Sequence, residues 1–222
     1  YYATGVTNMG DALDQSIKEL TTNGRDNSIR SIIYFTDGQT NTGLTTDQIL
    51  NSLVPKAVDA KINIYTCGYG TDVDPIFLQK VAGAANGKYF FAPDKATLVK
   101  IYTEMSHVIK GWEQLLSIEG TVQQGETKAA GTFDVPQGVT HIKILLTWPG
   151  SDLDLIIRDP NGNVITPGMA GVTYSGSSAF PEYYEIYSPM PGKWTIFVFG
   201  NQVPSSNEAF TIMIFQPTAI MQ

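Results

Sequence analysis

The 222-residue chain has little cysteine, histidine or charge. Cys67 is its only cysteine, so no disulfide can form within the chain, and its place in an apolar run predicts a small buried residue rather than a reactive thiol. Only 16% of residues are charged, the formal net charge is -7, and no run of Lys or Arg could follow a phosphate backbone. No apolar stretch reaches the ~18 residues of a membrane span. These absences argue against nucleic acid as a partner and against a membrane span in this chain.

The usual signatures of catalysis are missing as well. His107 and His141 are the only histidines, they lie far apart, and neither belongs to a His-Glu-x-x-His sequence. The Gly-x-Ser-x-Gly motif of serine hydrolases is absent. The Gly-Tyr-Gly at 68–70 begins a dinucleotide-binding fingerprint, but Val73 stands where the third glycine is needed. We therefore predict that the chain is not an enzyme.

Helical and strand-like patterns alternate along the chain as far as Gly111. Apolar spacing predicts helices at Ala12–Leu20, Ile49–Ala57, Ile76–Ala82 and Ala96–Ile109, and buried runs predict strands at Ile29–Phe35, Ile62–Cys67 and Tyr89–Ala92. Strands that alternate with helices over short loops form a mostly parallel sheet with helices on both faces. The pattern thus predicts an α/β, Rossmann-like domain over residues 1–111, in which the strand Ile29–Phe35 is covered on both faces.

Two polar residues of this domain fall where such sheets bind ligands, outside the carboxyl ends of the strands. Asp37 follows the strand Ile29–Phe35, and Thr7 precedes the first helix. Hydroxyl and carboxylate oxygens suit Mg2+, which prefers hard oxygen ligands and retains water. A structural role is the alternative: Thr7 or Asn8 caps the helix, and Asp37 forms an Asp-Gly turn.

An ordered series of motifs in this domain resembles the von Willebrand factor type A family. The series is Gly5-x-Thr7-Asn8-x-Gly10-x-Ala12-Leu13, Phe35-Thr36-Asp37-Gly38 with Asn41, Tyr65-x-x-Gly68-Tyr69-Gly70 leading to Leu78-x-x-Val81-Ala82, and Gly87-Lys88-Tyr89-Phe90. The resemblance implies a metal ion-dependent adhesion site for Mg2+ or Mn2+ with Thr7 and Asp37 among its ligands. It also implies that an acidic side chain of a protein partner completes the shell of the metal.

The family's third metal-binding loop, Asp-x-Ser-x-Ser, does not occur in this sequence. In the family, the strand that carries this loop lies at the centre of the sheet, beside the counterpart of Ile29–Phe35. The resemblance therefore implies an N-terminally truncated domain whose sheet is completed by an upstream segment or by a separate chain. An open strand edge of this kind invites pairing with another strand.

The pattern changes after Gly111. Alternating apolar residues predict strands at Thr140–Trp148, Trp194–Val198 and Phe210–Ile214, separated by turns that contain proline and glycine. Such strands favour an antiparallel β-sandwich over residues 112–222. The segments Ser151-Asp152-Leu153-Asp154-Leu155, Asp159-Pro160-Asn161-Gly162 and Pro191-Gly192-Lys193-Trp194-Thr195 are similar to the bacterial pre-peptidase C-terminal type of sandwich, or to a jelly-roll relative.

Two further features of the second domain each have two interpretations. Asp152, Asp154 and Asp159 form a candidate calcium site, because Ca2+ takes clustered carboxylate oxygens. Since Asp152 and Asp154 share a strand face and Asp159 belongs to a turn, solvated edge positions explain them equally well. The aromatic stretch Phe180–Tyr187 is either a platform for a sugar or peptide or a set of packed cross-strand pairs.

Together these features predict a secreted or cell-surface adhesion module that binds an acidic group of a protein partner through a divalent metal. Ion bridging is the expected mechanism, because a metal short of anionic ligands accepts the partner's carboxylate. Two alternatives stay open. One is a structural subunit of an extracellular filament or surface assembly, in which a neighbouring chain supplies the missing strand. The other is a non-catalytic part of a secreted protease.

Overall fold

The computed structural model describes residues 5–25, 27–93, 95–150, 152–203 and 206–218. The chain divides into two compact units, Tyr1–Met105 and Ser106–Gln222. This division falls before the boundary predicted at Gly111. Within the second unit, the ring of His107 stacks on that of Phe215 with 4.4 Å between centroids. None of the described helices is long and apolar enough to cross a membrane.

The first unit alternates helices with parallel strands. Its elements are α1 (Met9–Thr22), β1 (Arg30–Thr36), α2 (Thr46–Gln48), a π-helical turn (Ile49–Leu53), α3 (Val54–Asp59), β2 (Ile62–Tyr69), α4 (Pro75–Ala84), β3 (Tyr89–Ala92) and α5 (Lys95–Val108). The strands pair in the order β1-β2-β3, and both pairs are parallel. The predicted parallel sheet is therefore confirmed, with each predicted strand and helix near its expected place.

The predicted helix Ile49–Ala57 is less regular than its apolar spacing indicates. A capping box between Thr45 and Gln48 starts the segment. Pro55 has no N–H to donate within the helix. Just before it, the N–H of Val54 donates to the carbonyl of Ile49, five residues back, which is the bond of a π-helix. Proline at this position therefore accompanies a local widening of the helix, which periodicity alone does not reveal.

The larger buried cluster of the first unit lies on one face of the sheet. The parallel register pairs Ile32 with Ile64 and Tyr34 with Thr66, which places these four side chains on the same face. The buried cluster on this side combines strands with helices α1, α3 and α4, and it includes Leu13, Ile17, Ile32, Leu53, Val54, Ile64, Leu78 and Val81. The hydroxyl of Tyr34 donates to the carbonyl of Met9, which joins β1 to the start of α1.

The opposite face of β1 is partly open, contrary to the prediction. Ile33 and Phe35 are each 41% exposed, although the ring of Phe35 lies 6.1 Å from that of Tyr69 and 6.4 Å from that of Tyr102. Among the described strands, β1 pairs with β2 alone, so its outer edge has no neighbouring strand there. The prediction that β1 is covered on both faces is wrong, because the described elements bury only one of them.

The second unit is built from antiparallel strands. They are β4 (Trp112–Val122), β5 (Thr127–Val135), β6 (His141–Thr147), β7 (Asp152–Arg158), β8 (Val172–Tyr174), β9 (Glu182–Tyr187), β10 (Gly192–Gln202) and β11 (Glu208–Pro217). One sheet has the order β5-β10-β7 and the other β4-β11-β6-β9-β8. Both contribute to a single buried cluster that includes Phe133, Ile144, Leu146, Leu155, Trp194, Ile196, Phe210 and Ile212. Two antiparallel sheets around one core are the arrangement expected of the predicted sandwich.

Candidate functional site

Thr7 and Asp37 lie in two loops that meet at the carboxyl end of β1. Asp37 directly follows β1 and is exposed, and Thr7 lies two residues before α1. A Cβ atom built on Gly38 would lie 3.6 Å from the hydroxyl oxygen of Thr7, so this hydroxyl faces the residue next to Asp37. The fold thus brings together the two loops that carry the predicted ligands, while their role in metal binding stays a prediction.

The hydroxyl of Thr7 is not used to start the helix. Asn8 is the N-cap of α1, and its side-chain oxygen accepts from the N–H of Asp11 at 3.1 Å. Within the described part of the chain, the Thr7 hydroxyl has no hydrogen-bond partner. Helix capping, the structural role considered for Thr7, is therefore carried out by its neighbour Asn8.

The turn that holds Asp37 does not depend on the Asp37 side chain. The hydroxyl of Thr36, a buried residue, accepts from the N–H of Gly38 at 3.2 Å and donates to its carbonyl at 2.8 Å. No hydrogen bond between described residues uses the carboxylate of Asp37. The side chain of Thr36 thus closes this turn, and the exposed carboxylate is left for another use.

Asn41 joins the two loops. Its side-chain oxygen accepts from the N–H of Thr7 at 2.7 Å, and its side-chain amide donates to the carbonyl of Gly5 at 3.1 Å. The backbone N–H of Asn41 donates to the carbonyl of Thr7 at 3.0 Å, and the Thr40 hydroxyl donates to the same carbonyl at 3.3 Å. These bonds fix the backbone of Thr7 against the loop that follows β1. In the sequence, Asn41 was notable only as part of the family pattern. That it links the two loops could be seen only in the folded structure.

A small polar cavity lies beside the same loops. Its volume is about 40 Å3, and its lining includes Met9, Thr36, Gly38, Thr40 and Asp74. Asp74 caps α4 by accepting from the N–H of Phe77 at 3.0 Å. A cavity of this size and polarity has room for an ordered water. Sequence analysis did not single out Asp74, since only the fold places the end of β2 beside the end of β1.

The ligand pair fits a hard divalent cation in kind but not in number. A threonine hydroxyl and a carboxylate are ligands that Mg2+ prefers, and Mg2+ requires six in an octahedral arrangement. Among the described residues, no group of three or more His, Cys, Asp and Glu side chains could hold a metal. Thr7 and Asp37 therefore supply part of a coordination shell, and the remaining positions must come from water or from other residues.

The three carboxylates considered for calcium do not form one site. Asp152 begins β7, and its Oδ2 accepts from the side-chain amide of Asn201 at 2.7 Å. Asp159 lies just past the other end of β7, about 20 Å away at the usual rise of a strand. Its Oδ1 accepts from the backbone N–H groups of Asn161 and Asn163, each at 2.9 Å. The structure therefore does not bring Asp152, Asp154 and Asp159 together as one calcium site, because almost the whole of β7 lies between Asp152 and Asp159. Ser151 of the same motif lies outside the described residues.

Sequence analysis missed a buried carboxylate in the second unit. Glu182 of β9 is fully buried. Its Oε2 accepts from the N–H of Leu155 in β7 at 3.0 Å, and its Oε1 accepts from the hydroxyl of Tyr174 at 2.7 Å. Burial is the main reason that the pKa of Glu182 is raised to about 7; the nearby Asp154 and Asp152 act in the same direction, and the hydrogen bonds from Tyr174 and Leu155 oppose them. One carboxyl group therefore joins the two sheets and titrates near neutrality.

The link made by Asn41 gives a stability prediction. Replacing Asn41 with alanine removes two side-chain hydrogen bonds but keeps the backbone bond to Thr7. We expect the free energy of unfolding of the first unit to fall by about 1 kcal/mol, since exposed hydrogen bonds contribute modestly. Urea denaturation followed by circular dichroism measures this change. Asn51→Ala, at an exposed asparagine of the π-helical turn, is the matched control, and equal stabilities of the two variants would contradict the prediction.

Comparisons with known proteins identify what the chain is similar to. Residues 1–104 match the model of the von Willebrand factor type A domain. The chain is 31% identical over 184 residues to the inter-alpha-trypsin inhibitor heavy chain H4 of Homo sapiens, covering 76% of this chain and 18% of that protein. It is 29% identical over 190 residues to the same heavy chain of Sus scrofa, and this match covers 81% of this chain and 19% of that protein. The chain thus spans about a fifth of the length of the curated relatives it matches.

A solved structure described as von Willebrand factor type A from Catenulispora acidiphila is also similar. It is 19% identical, with a TM-score of 0.42, and the match covers 89% of this chain and 39% of that chain. The family match covers the unit that contains β1 to β3, and the ordered motifs lie in the same residues. Residues 1–104 are therefore a von Willebrand factor type A domain.

Proposed function

We propose that this protein binds a protein partner through a divalent metal ion, Mg2+ or Mn2+, held at the rim formed by Thr7 and Asp37. Domains of this family mediate protein–protein interaction and adhesion. One observation carries the proposal. The Thr7 hydroxyl and the Asp37 carboxylate lie in adjoining loops, and within the described residues the fold uses neither for a hydrogen bond. Two hard oxygen ligands left unused at the carboxyl end of a parallel sheet suit a metal-bridged contact.

The chain's own residues account for the positions of this ligand pair. Asn41 holds the backbone of Thr7, and Thr36 closes the turn at Asp37. When bound, the metal supplies a positive charge that accepts a carboxylate of the partner as a further ligand. Asp37 neutralises only part of that charge, so an exposed acidic side chain is the partner group that the site favours.

We further propose that a strand from outside this sequence adds along β1 and brings the remaining metal ligands. The open edge of β1 and the exposed side chains of Ile33 and Phe35 support this. A cleft of about 700 Å3 lies between α1 and β1. Beside it, the buried hydroxyl of Ser31 has no hydrogen-bond partner among the described residues. Either an upstream segment or a separate chain can supply such a strand.

A peptide experiment tests this completion. Mn2+ is titrated into the chain alone and into the chain with a synthetic strand peptide that ends in Asp-x-Ser-x-Ser, and free Mn2+ is measured by electron paramagnetic resonance. We expect the chain alone to bind Mn2+ weakly, with a Kd on the order of 1 mM, because two ligands leave most of the shell to water. The peptide should tighten binding at least about tenfold, which corresponds to about 1.4 kcal/mol.

The control is the same peptide with its aspartate and serines changed to asparagine and alanine. It should pair with β1 without improving the affinity for Mn2+. Micromolar binding by the chain alone would show that the site needs no outside ligands. Equal effects of both peptides would show that the added strand brings no ligand.

We place the protein outside the cell or at the cell surface, as a binding component without catalytic activity. Its weakly charged, polar composition is common in such proteins. Its one cysteine does not favour reactivity, because Cys67 is fully buried and burial raises the pKa of its thiol to about 11. A reactive thiolate would require a lowered thiol pKa.

A further inference from the structure

A second cavity, distant in sequence from the Thr7–Asp37 rim, lies within the second unit. Its volume is about 480 Å3, which is in the range of small-molecule sites. The residues that line it come from the segment after β6, from the segment before β9 and from the facing ends of β7 and β10. They are Trp148, Pro149, Gly150, Asp152, Ser177, Ser178, Phe180 and Gln202. We refer to this set as the Trp148 cavity.

Two aromatic rings form the apolar side of the Trp148 cavity. Trp148 and Phe180 meet edge to face, with 5.4 Å between centroids and 85° between planes. Trp148 is buried, whereas Phe180 is 57% exposed. Each ring is followed directly by a proline, Pro149 or Pro181. A proline restricts the backbone of the residue before it, which here is the residue that carries the ring. An exposed ring held against a buried one offers a fixed apolar surface to a ligand.

Polar groups form the other side of the cavity. Asp152 is oriented by Asn201, whose side-chain amide donates to its Oδ2 at 2.7 Å. Ser177, Ser178 and Gln202 are exposed and are neutral groups that both donate and accept hydrogen bonds. Among the described residues of the lining, Asp152 is the only one with an ionisable side chain, and its negative charge disfavours anionic ligands.

We infer that the Trp148 cavity is a binding site for a neutral carbohydrate, with the ring of Phe180 against one face of a pyranose and Asp152, Gln202 and the two serines on its hydroxyls. A sugar combines an apolar face of C–H groups with a rim of hydroxyl donors and acceptors. The lining combines the two matching chemistries within one cavity. The single carboxylate accepts from hydroxyls, and the neutral groups satisfy the others. This site is independent of the proposed metal-bridged contact.

Ligand-observed saturation-transfer NMR on the whole chain tests this inference, with maltose, cellobiose and lactose as probes. At least one of the three should receive saturation from the protein. Phe180→Ala should weaken its binding at least about tenfold, because the variant loses the stacking surface. Since Phe180 is largely exposed, the variant should fold like the parent chain, which its melting temperature verifies.

The matched control is Tyr187→Ala, which removes an aromatic side chain of similar exposure, 50%, at the far end of β9. This variant should bind the sugar as the parent chain does. The inference fails if none of the three sugars binds, or if Phe180→Ala and Tyr187→Ala weaken binding equally. If lactose is among the sugars that bind, the inference also fails if sialyllactose, which carries a carboxylate, binds as tightly as lactose.

Discussion

We expect replacement of Asp37 with alanine to abolish the proposed metal-dependent binding of an acidic partner, so that the affinity in Mg2+ falls to the value measured in EDTA. We expect a loss of at least about 100-fold, which corresponds to about 2.7 kcal/mol. Asp37 is the only anionic member of the ligand pair, and its carboxylate has no hydrogen bond within the described residues that could explain a structural effect. The change therefore removes a metal ligand and leaves the turn in place.

Surface plasmon resonance measures this effect on the protein with its strand completed. The immobilised probe is an aspartate-containing peptide, and its asparagine counterpart tests the need for a carboxylate. Asp47→Ala, at an exposed aspartate of α2, is the matched control and should bind as the parent protein does. Urea denaturation should place both variants within about 0.5 kcal/mol of the parent. Binding by Asp37→Ala that still depends on Mg2+ would refute the proposed mechanism.

We expect the second unit to lose stability as the pH rises through neutrality. Burial raises the pKa of Glu182 from 4.5 to about 7, so the folded state holds its proton more tightly than the unfolded state does. This contribution is fully present below pH 4.5 and is lost as the pH rises through about 7. A shift of this size corresponds to about 3 kcal/mol. The pKa of Asp154 is also raised, by burial and by Asp152, so this neighbour acts in the same direction.

Glu182→Gln separates the charge of this residue from its hydrogen bonds. The amide oxygen can accept from the N–H of Leu155, and the amide N–H groups can donate to the hydroxyl of Tyr174. Urea denaturation from about pH 4.5 to pH 9, followed by tryptophan fluorescence, should show a much smaller pH dependence for the variant than for the parent. A variant with the parent's pH dependence would show that another group controls it.

The regular parts of the fold were predictable because apolar spacing reports burial directly. Ile62–Cys67 and Tyr89–Ala92 are hydrophobic runs, and both are strands in the structure. Sequence analysis did not single out β4 or β5, since most of their residues are exposed or half-buried and the alternation is weak. The open face of β1 was mispredicted, because a hydrophobic side chain does not reveal which element covers it.

The candidate site was predictable only in part. Thr7 and Asp37 were identified from the resemblance to the family, and their ligand chemistry and their places beside predicted elements agree with it. The link through Asn41 depends on which loops meet, and sequence order does not give that. The calcium hypothesis rested on the number of nearby carboxylates in the sequence. It did not take into account that the length of β7 lies between Asp152 and Asp159. The burial of Glu182 could have been predicted, because it lies two residues before Tyr184 and four before Ile186, which face inward on the same strand.

The bonds made by Asn41 and Thr36 have an entropic consequence. Both loops at the rim are held by hydrogen bonds that involve neither the Thr7 hydroxyl nor the Asp37 carboxylate. The pair is therefore preorganised, and an arriving ion has little loop freedom to remove. When an added strand completes the proposed site, it then changes the number of metal ligands and not the conformational freedom of these loops. Under the proposed mechanism, the affinity of the rim for a metal ion is therefore set by the ligands that the added strand and the partner supply.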